Sequence, residues 1–142
     1  MSEITWAQAK AIVAAAIEAA AAKGIAGASV VVADPAGAIR AAERTDAAGP
    51  FGIDIARAKA RTALGFRRSS IKTAAIFGDK PAVVTGLNAA IDGAFLPLGG
   101  GVVVVDGAGS IVGAAALAGG MPEADHEVIA NAVVRAGLAI LD

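Results

Sequence analysis

The sequence lacks cysteine and tyrosine and contains one histidine among its 142 residues. The absence of cysteine excludes disulfide bonds, thiolate nucleophiles and cysteine-ligated metal or haem. Charged residues make up 18% of the chain, the net charge is −1, and the Lys and Arg residues form no long run. The basic footprint of a nucleic-acid-binding protein is therefore absent. No segment reaches the roughly 18 uninterrupted apolar residues of a membrane span. We expect a cytoplasmic protein without a membrane or nucleic-acid partner.

Hydrophobic residues are abundant, at 56% of the sequence. The length suits one domain, residues 1–142, that buries about two thirds of the surface of the unfolded chain. A monomer of this composition would leave extensive apolar surface in water, which is uncommon for monomeric soluble proteins. The composition therefore predicts a homo-oligomer, a tetramer or larger.

Two similar β-hairpins are predicted. One hairpin consists of the strands Val102–Val105 and Ser110–Ala116 on either side of the turn DGAG. The other consists of the strands Ala28–Ala33 and Ala38–Glu43 on either side of the related turn DPAG. Glycine supplies the backbone freedom that a tight reversal requires. The first residue of each turn, Asp34 or Asp106, is interpreted as a turn residue. We expect the two hairpins to form one sheet.

Helical patterns occupy most of the remaining chain. Thr5 and Gln8 form a capping box before an amphipathic helix that Gly24 ends. The other predicted helices are Gly52 to Phe66, a short one from Ser69 or Ser70 to Phe77, a second short one from Pro81 to near Asp92, and a C-terminal one from Pro122 to about Leu141. Helices grouped around hairpins indicate an α+β fold with an antiparallel sheet.

Three segments carry a family resemblance. VVVADPAGAIRAAERTD, IARAKARTALGF and LPLGGGVVVVDGAGSIVGA, followed by an Ala-Asp pair before a helix, are similar to the GlcG/HbpS family of small haem-binding-type proteins. The resemblance extends from Ile4 to Ala136 and includes the C-terminal part of PduO proteins. It implies a profilin-like α+β fold with a central five-stranded antiparallel sheet flanked by helices, and it also implies homo-oligomeric assembly.

Asp125 and His126 are the candidate catalytic residues. Counting one turn back from Ile129 places Asp125 on the buried stripe of the last helix, where a desolvated carboxylate tends to have a raised pKa. His126 is the one strong neutral nitrogen ligand for haem iron and the one acid-base group that titrates near neutral pH. Its alternative interpretation is an ordinary surface residue in the first turn.

Arg44, Asp46, Lys59 and Thr62 are the candidate ligand-binding residues. Lys59 is either an anchor for a carboxylate or propionate, or a side chain with a packed stem and a solvated ammonium. Arg44 and Asp46 either bind a ligand or form a local ion pair at the strand exit. Thr62 hydrogen-bonds either a ligand or its own helix backbone.

The candidate ligand-binding residues and the candidate catalytic residues indicate two alternative functions. The first is a binding protein for a small carboxylated planar ligand, with haem the first candidate cofactor because of the resemblance. The alternative is a small enzyme of a catabolic pathway that performs acid-base chemistry, namely tautomerisation, isomerisation or elimination, on a small carboxylate. One histidine without cysteine assembles neither a catalytic triad nor a metal-hydrolase site.

Overall fold

The computed structural model describes residues 2–93 and 95–142. The helices and strands follow the order predicted from the sequence, with one additional strand at the C-terminus. In chain order the elements are α1 (Trp6–Ala22), β1 (Ser29–Ala33), β2 (Ile39–Arg44), α2 (Gly52–Phe66), α3 (Ser70–Phe77), α4 (Pro81–Ala90), β3 (Gly101–Val105), β4 (Ile111–Ala118), α5 (Pro122–Arg135) and β5 (Ala139–Leu141).

The strands form a five-stranded antiparallel sheet in the order β2-β1-β4-β3-β5. The two hairpins are joined through β1 and β4, where Ser29 is opposite Ala118. Each hairpin turn is held by its aspartate, because Oδ1 of Asp34 and of Asp106 accepts two backbone N–H groups. The α+β class and the joining of the hairpins are confirmed.

The C-terminal helix is shorter than the sequence pattern predicts. It ends at Arg135 rather than near Leu141, and Gly137 adopts a φ of +85°. A left-handed glycine just after a helix ends it at low steric cost. The following residues, Ala139–Leu141, pair with β3 as the edge strand β5. The apolar residues Ala139–Leu141, whose spacing continues the helical pattern of the sequence, thus belong to the sheet.

The helices cover both faces of the sheet. One face packs against α1 and α5 through a core that includes Val30, Val104 and Leu117, and the other packs against α2 through Val31 and small alanines. The α2 backbone lies very close to β3, because a Cβ on Gly101 would overlap the carbonyl of Lys59. This close approach places the α2 side chains directly over the sheet.

The short helices α3 and α4 lie outside these layers. α4 ends at Ala90 rather than near Asp92, and none of its ten residues, all of them described, is buried. Ser69 precedes α3, but its hydroxyl donates to Asp142 instead of capping the helix. Of the two predicted starts, Ser69 and Ser70, the helix begins at Ser70.

Candidate functional site

A buried ion pair joins the two helices that cover opposite faces of the sheet. Lys59 on α2 and Asp125 on α5 are 2% and 1% exposed, and Nζ lies 3.2 Å from Oδ2. Nζ also donates to the carbonyl of Leu117 at 3.0 Å, and Oδ1 of Asp125 accepts the amide of Gly120 at 2.8 Å. Each charged group is thus both paired and hydrogen-bonded, as a buried charge requires.

Glycines make room for this pair at the end of the sheet. A Cβ on Gly100 would lie 2.9 Å from Nζ of Lys59, and one on Gly120 would lie 2.8 Å from Oδ1 of Asp125. Burial lowers the pKa of Lys59 below its usual 10.5, and the carboxylate of Asp125 opposes this shift only in part. The predicted burial of Asp125 is confirmed. Of the two alternatives for Lys59, the solvated ammonium is wrong, because the ammonium pairs internally with Asp125.

The neighbouring candidates have their own contacts. Oγ1 of Thr62 donates to the carbonyl of Ala58 at 2.8 Å, so of its two alternatives the hydrogen bond to its own helix backbone is the one observed. The same oxygen accepts the amide of Leu96 at 2.8 Å. His126 is half-buried, and its Nδ1 is buried without a hydrogen-bond partner among the described residues. Its roles as proton carrier and iron ligand stay predictions.

Arg44 and Asp46 form no ion pair in the described chain. Nη1 of Arg44 instead donates to the carbonyl of Ala48 at 3.1 Å. Asp46, which lies between Arg44 and Ala48, is exposed in a turn. Of the two alternatives for Arg44 and Asp46, the local ion pair is therefore wrong, and ligand binding stays a prediction. Arg44 holds the loop after β2, and that loop forms one wall of a cavity.

This cavity has a volume of about 390 Å³ and opens between the loop, the end of the sheet and the start of α2. Apolar side chains line part of it, while backbone groups line the rest. Its lining comprises Gly27, Ser29, Ala47, Ala48, Gly49, Pro50, Phe51, Gly52, Ile55, Ala118 and Gly119. Neither Lys59 nor Asp125 lines it, so the ion pair and the cavity are separate features.

Ser29 is the one hydroxyl-bearing side chain of this lining, and it is 1% exposed. Among the described residues, its Oγ has no hydrogen-bond partner. It lies against the first residue of α2, because a Cβ on Gly52 would overlap that oxygen. The residue before the helix, Phe51, provides no side-chain cap. An unpaired hydroxyl and an uncapped helix N-terminus thus meet at this cavity.

Sequence reasoning missed Ser29 and Gly52. The available signal is that Ser29 begins the otherwise apolar strand SVVVA, on the same face as Val31 and opposite buried Ala118. An inward polar residue in such a strand normally requires a partner. Whether that partner is present depends on the tertiary structure, which no local sequence pattern reveals.

The residues around the cavity do not supply the side-chain ligands that haem iron requires. The cavity lining contains no histidine or methionine, and within residues 2–93 and 95–142 no three metal-ligating side chains cluster. His126 lies outside the lining, and Met121 is 71% exposed. The lining of the cavity thus contains no side-chain ligand for haem iron.

Comparison with solved structures shows the same fold elsewhere. A PduOC:heme complex superimposes with a TM-score of 0.86 at 20% identity, over 99% of each chain. The Klebsiella pneumoniae protein ORFY gives 0.86 at 23% identity, over 96% of this chain and 92% of that one. A double mutant of Streptomyces reticuli HbpS gives 0.79 at 27% identity, over 94% and 87%.

Sequence comparison identifies the family. A search of curated proteins found no match. In the described part of the chain, no helix has both the length and the apolar character needed to cross a membrane. The family described as "Haem degrading protein HbpS-like" matches residues 4–134, and the predicted resemblance is thereby confirmed. Because this match includes nearly all of the chain, the protein belongs to the HbpS-like family.

Proposed function

We propose that this protein binds a small carboxylated planar ligand in the cavity at the start of α2. The observation that carries the proposal is the cavity itself, whose volume of about 390 Å³ falls in the range of small-molecule sites, roughly 300–1,000 Å³. Pro50, Phe51 and Ile55 supply apolar walls, which suit a flat hydrocarbon ring. Haem is the first candidate ligand because of the family, and in this cavity it would bind without an iron ligand from the lining, through its carboxylates and the apolar walls.

The loop that forms one wall of the cavity carries a cation, Arg44, and an anion, Asp46, and the cation is the one that is hydrogen-bonded to the wall. The guanidinium of Arg44 bonds the carbonyl of Ala48, a wall residue, so a permanent positive charge stands beside the opening. Arg44 therefore keeps its predicted role as an anchor for a carboxylate. Lys59 does not share that role in this arrangement, because its ammonium is already committed to Asp125.

Haem titration tests the first candidate. A saturable shift of the Soret band that survives in His126→Ala is the result expected for haem in the cavity, because His126 does not line it. A shift lost in His126→Ala assigns the iron to His126, as the sequence predicts, and places haem outside this cavity. If neither haem nor a simple aromatic carboxylate binds, the proposal is wrong.

The three cavities formed by the described residues do not support the catalytic alternative. Asp125 and Lys59 lie together, but their polar atoms contact each other and the backbone, and neither residue lines any of the three cavities of 390, 200 and 260 Å³. Acid-base chemistry by Asp125 would require this pair to open. We therefore assign the pair a structural role and keep the ligand-binding function as the conclusion.

Self-association is proposed as well, as a tetramer or larger assembly in the cytoplasm. The exposed helix α4 supports it, since Val83 is 45% exposed and Ile91, just after the helix, is 40% exposed. Light scattering at micromolar concentration is expected to report several times the chain mass of 13.7 kDa. Val83→Asp should lower that mass if α4 lies in the interface. A wild-type mass of 13.7 kDa contradicts the assembly.

A further inference from the structure

We propose that a charged cleft on the exposed side of α2 binds a small zwitterion, namely an α-amino acid with a short side chain. The cleft has a volume of about 200 Å³, and its lining comprises Asp54, Arg57, Ala58, Arg61, Asp92 and Gly93. None of these residues lines the cavity at the start of α2. The proposal is therefore independent of the ligand proposed for that cavity.

The four charged side chains of this cleft belong to its own walls. Asp54, Arg57, Arg61 and Asp92 are all exposed, and all of them line it. Within residues 2–93 and 95–142, none of the four forms an ion pair, either with one another or with a residue elsewhere. Two arginines in other parts of the chain, by contrast, each pair with a glutamate. Charges of both signs thus border one space without neutralising each other.

The spacing along α2 sets the order of three of these charges. Steps of three and four residues return to the same side of a helix, so Asp54, Arg57 and Arg61 follow one another along it. The two guanidinium groups, one turn apart, can share a single carboxylate, and guanidinium is the cation whose geometry suits that group best. Asp54, one turn before Arg57, can accept the ammonium bonded to the same ligand carbon as that carboxylate.

Two contacts hold parts of the cleft in place before a ligand arrives. A Cβ on Gly37 would lie 3.4 Å from Cγ of Arg61, so the stem of this arginine packs against the first hairpin turn. After α4 the chain bends through Asp92 and Gly93, with φ values of +61° and +75°. The amide of Gly93 donates to the carbonyl of Asn88 at 2.7 Å, which ties this bend to α4. Walls that are already ordered lose less entropy when a ligand binds.

The balance of charge selects the ligand class. Two arginines and two aspartates line the cleft, so the formal charge of its lining is zero. An anion such as phosphate would be repelled by both carboxylates, whereas a zwitterion offers a counter-charge to each sign. The uncharged lining residues, Ala58 and Gly93, are small and provide no apolar wall for a large side chain. An α-amino acid with a short side chain meets both conditions.

L-alanine, propionate and ethylamine provide the test, since propionate lacks the ammonium and ethylamine lacks the carboxylate. Two-dimensional NMR of the full chain follows the Gly93 amide and the Nε–H groups of Arg57 and Arg61 while each compound is added. We expect saturable shifts with L-alanine and weaker binding of the other two compounds. The affinity for L-alanine should fall as salt is added, because exposed charges are screened.

Two variants separate the contributions of the two signs of charge. Arg57→Gln should weaken the binding of L-alanine and of propionate about threefold to tenfold, as expected for exposed charge-assisted hydrogen bonds. Asp54→Asn should weaken the binding of L-alanine by a similar factor but not that of propionate. Arg68→Gln and Glu43→Gln are the matched controls, because both charges are exposed but line none of the three cavities. They should leave the affinity for L-alanine unchanged.

Three outcomes overturn the proposal. Propionate or inorganic phosphate that binds as tightly as L-alanine would identify a site for anions alone. An Asp54→Asn protein that retains full affinity for L-alanine would remove the role of the acidic wall. The absence of any saturable shift with L-alanine in the wild type would remove the site. None of these results bears on the haem titration, which tests the other cavity.

Discussion

Two polar features lie beneath the same helix and differ in one respect. Lys59 and Asp125 are buried with every charge paired, whereas Ser29 is buried with its hydroxyl unpaired. Lys59 and Gly52, the α2 residue against which Ser29 packs, are seven residues apart, which is about 10 Å along the helix at 1.5 Å per residue. The first arrangement holds two helices together, whereas the second leaves a buried hydroxyl unsatisfied. The difference separates polar groups that stabilise this fold from one that costs stability.

Removing one charge of the ion pair should have the largest effect. Lys59→Met leaves the Asp125 carboxylate buried without its cation, and the expected loss in free energy of unfolding is about 3–5 kcal/mol. Urea denaturation at pH 7 measures it. Lys72→Met, which removes an exposed cation near Asp142, is the control and should change stability by less than about 1 kcal/mol.

The double variant Lys59→Met with Asp125→Asn sharpens this result. Asparagine keeps an oxygen for the Gly120 amide but removes the uncompensated charge, so most of the lost stability should return. A double variant as unstable as the sum of its single variants would show that the pair does not act as a unit.

Gly52→Ala should have the next largest effect, because the added Cβ meets the Ser29 hydroxyl. Overpacking of this kind costs about 1–3 kcal/mol. The loss should be smaller in a Ser29→Ala background. Gly65→Ala is the control on the same helix, where a Cβ meets nothing within 4 Å, and it should stabilise by about 0.5–1 kcal/mol. Equal effects at the two glycines would contradict the close contact.

Ser29→Ala is expected to stabilise the ligand-free protein by about 1 kcal/mol, since it removes an unsatisfied buried hydroxyl. Ser70→Ala is the contrasting variant, because that hydroxyl donates to Leu98 and accepts from Gly101. It should destabilise by about 1–3 kcal/mol. Thermal denaturation of both variants decides, and a destabilised Ser29→Ala protein would show that the hydroxyl has a structural partner.

The smallest effect concerns pH. The pKa of Lys59 is lowered by burial, so in the window between that lowered pKa and 10.5 the unfolded chain binds more protons than the folded one. The contribution of Lys59 to unfolding free energy should therefore rise with pH through this window. The difference between wild type and the Lys59→Met, Asp125→Asn double variant, measured at increasing alkaline pH, checks the sign. A falling difference would show that the attraction of Asp125 outweighs burial.

The local elements were largely predictable from the sequence. Helix α2 has the predicted bounds Gly52–Phe66, and the two hairpins pair as expected. Such features depend on residue period and on turn glycines, which are local properties. β5 was not predicted from the residues, although the family resemblance implied a fifth strand, because three apolar residues after a helix also satisfy the helical period.

The candidate site was predictable only in part. Lys59 and Asp125 were each selected, but their contact joins residues 66 positions apart and depends on how helices from opposite faces meet. Arg44 was selected as an anchor, whereas its hydrogen bond to Ala48 depends on the course of the loop. Ser29 was missed because an unsatisfied group is defined by its surroundings.

The strand order has a consequence for how copies of this chain can meet. The edge strand β2 carries Arg40, Glu43 and Arg44, and the opposite edge, β5, is only three residues long. Charged and very short edges resist the addition of a foreign strand, which is how open sheets avoid amyloid-like growth. The proposed self-association is therefore expected to use helices such as α4 and to leave the sheet edges unpaired.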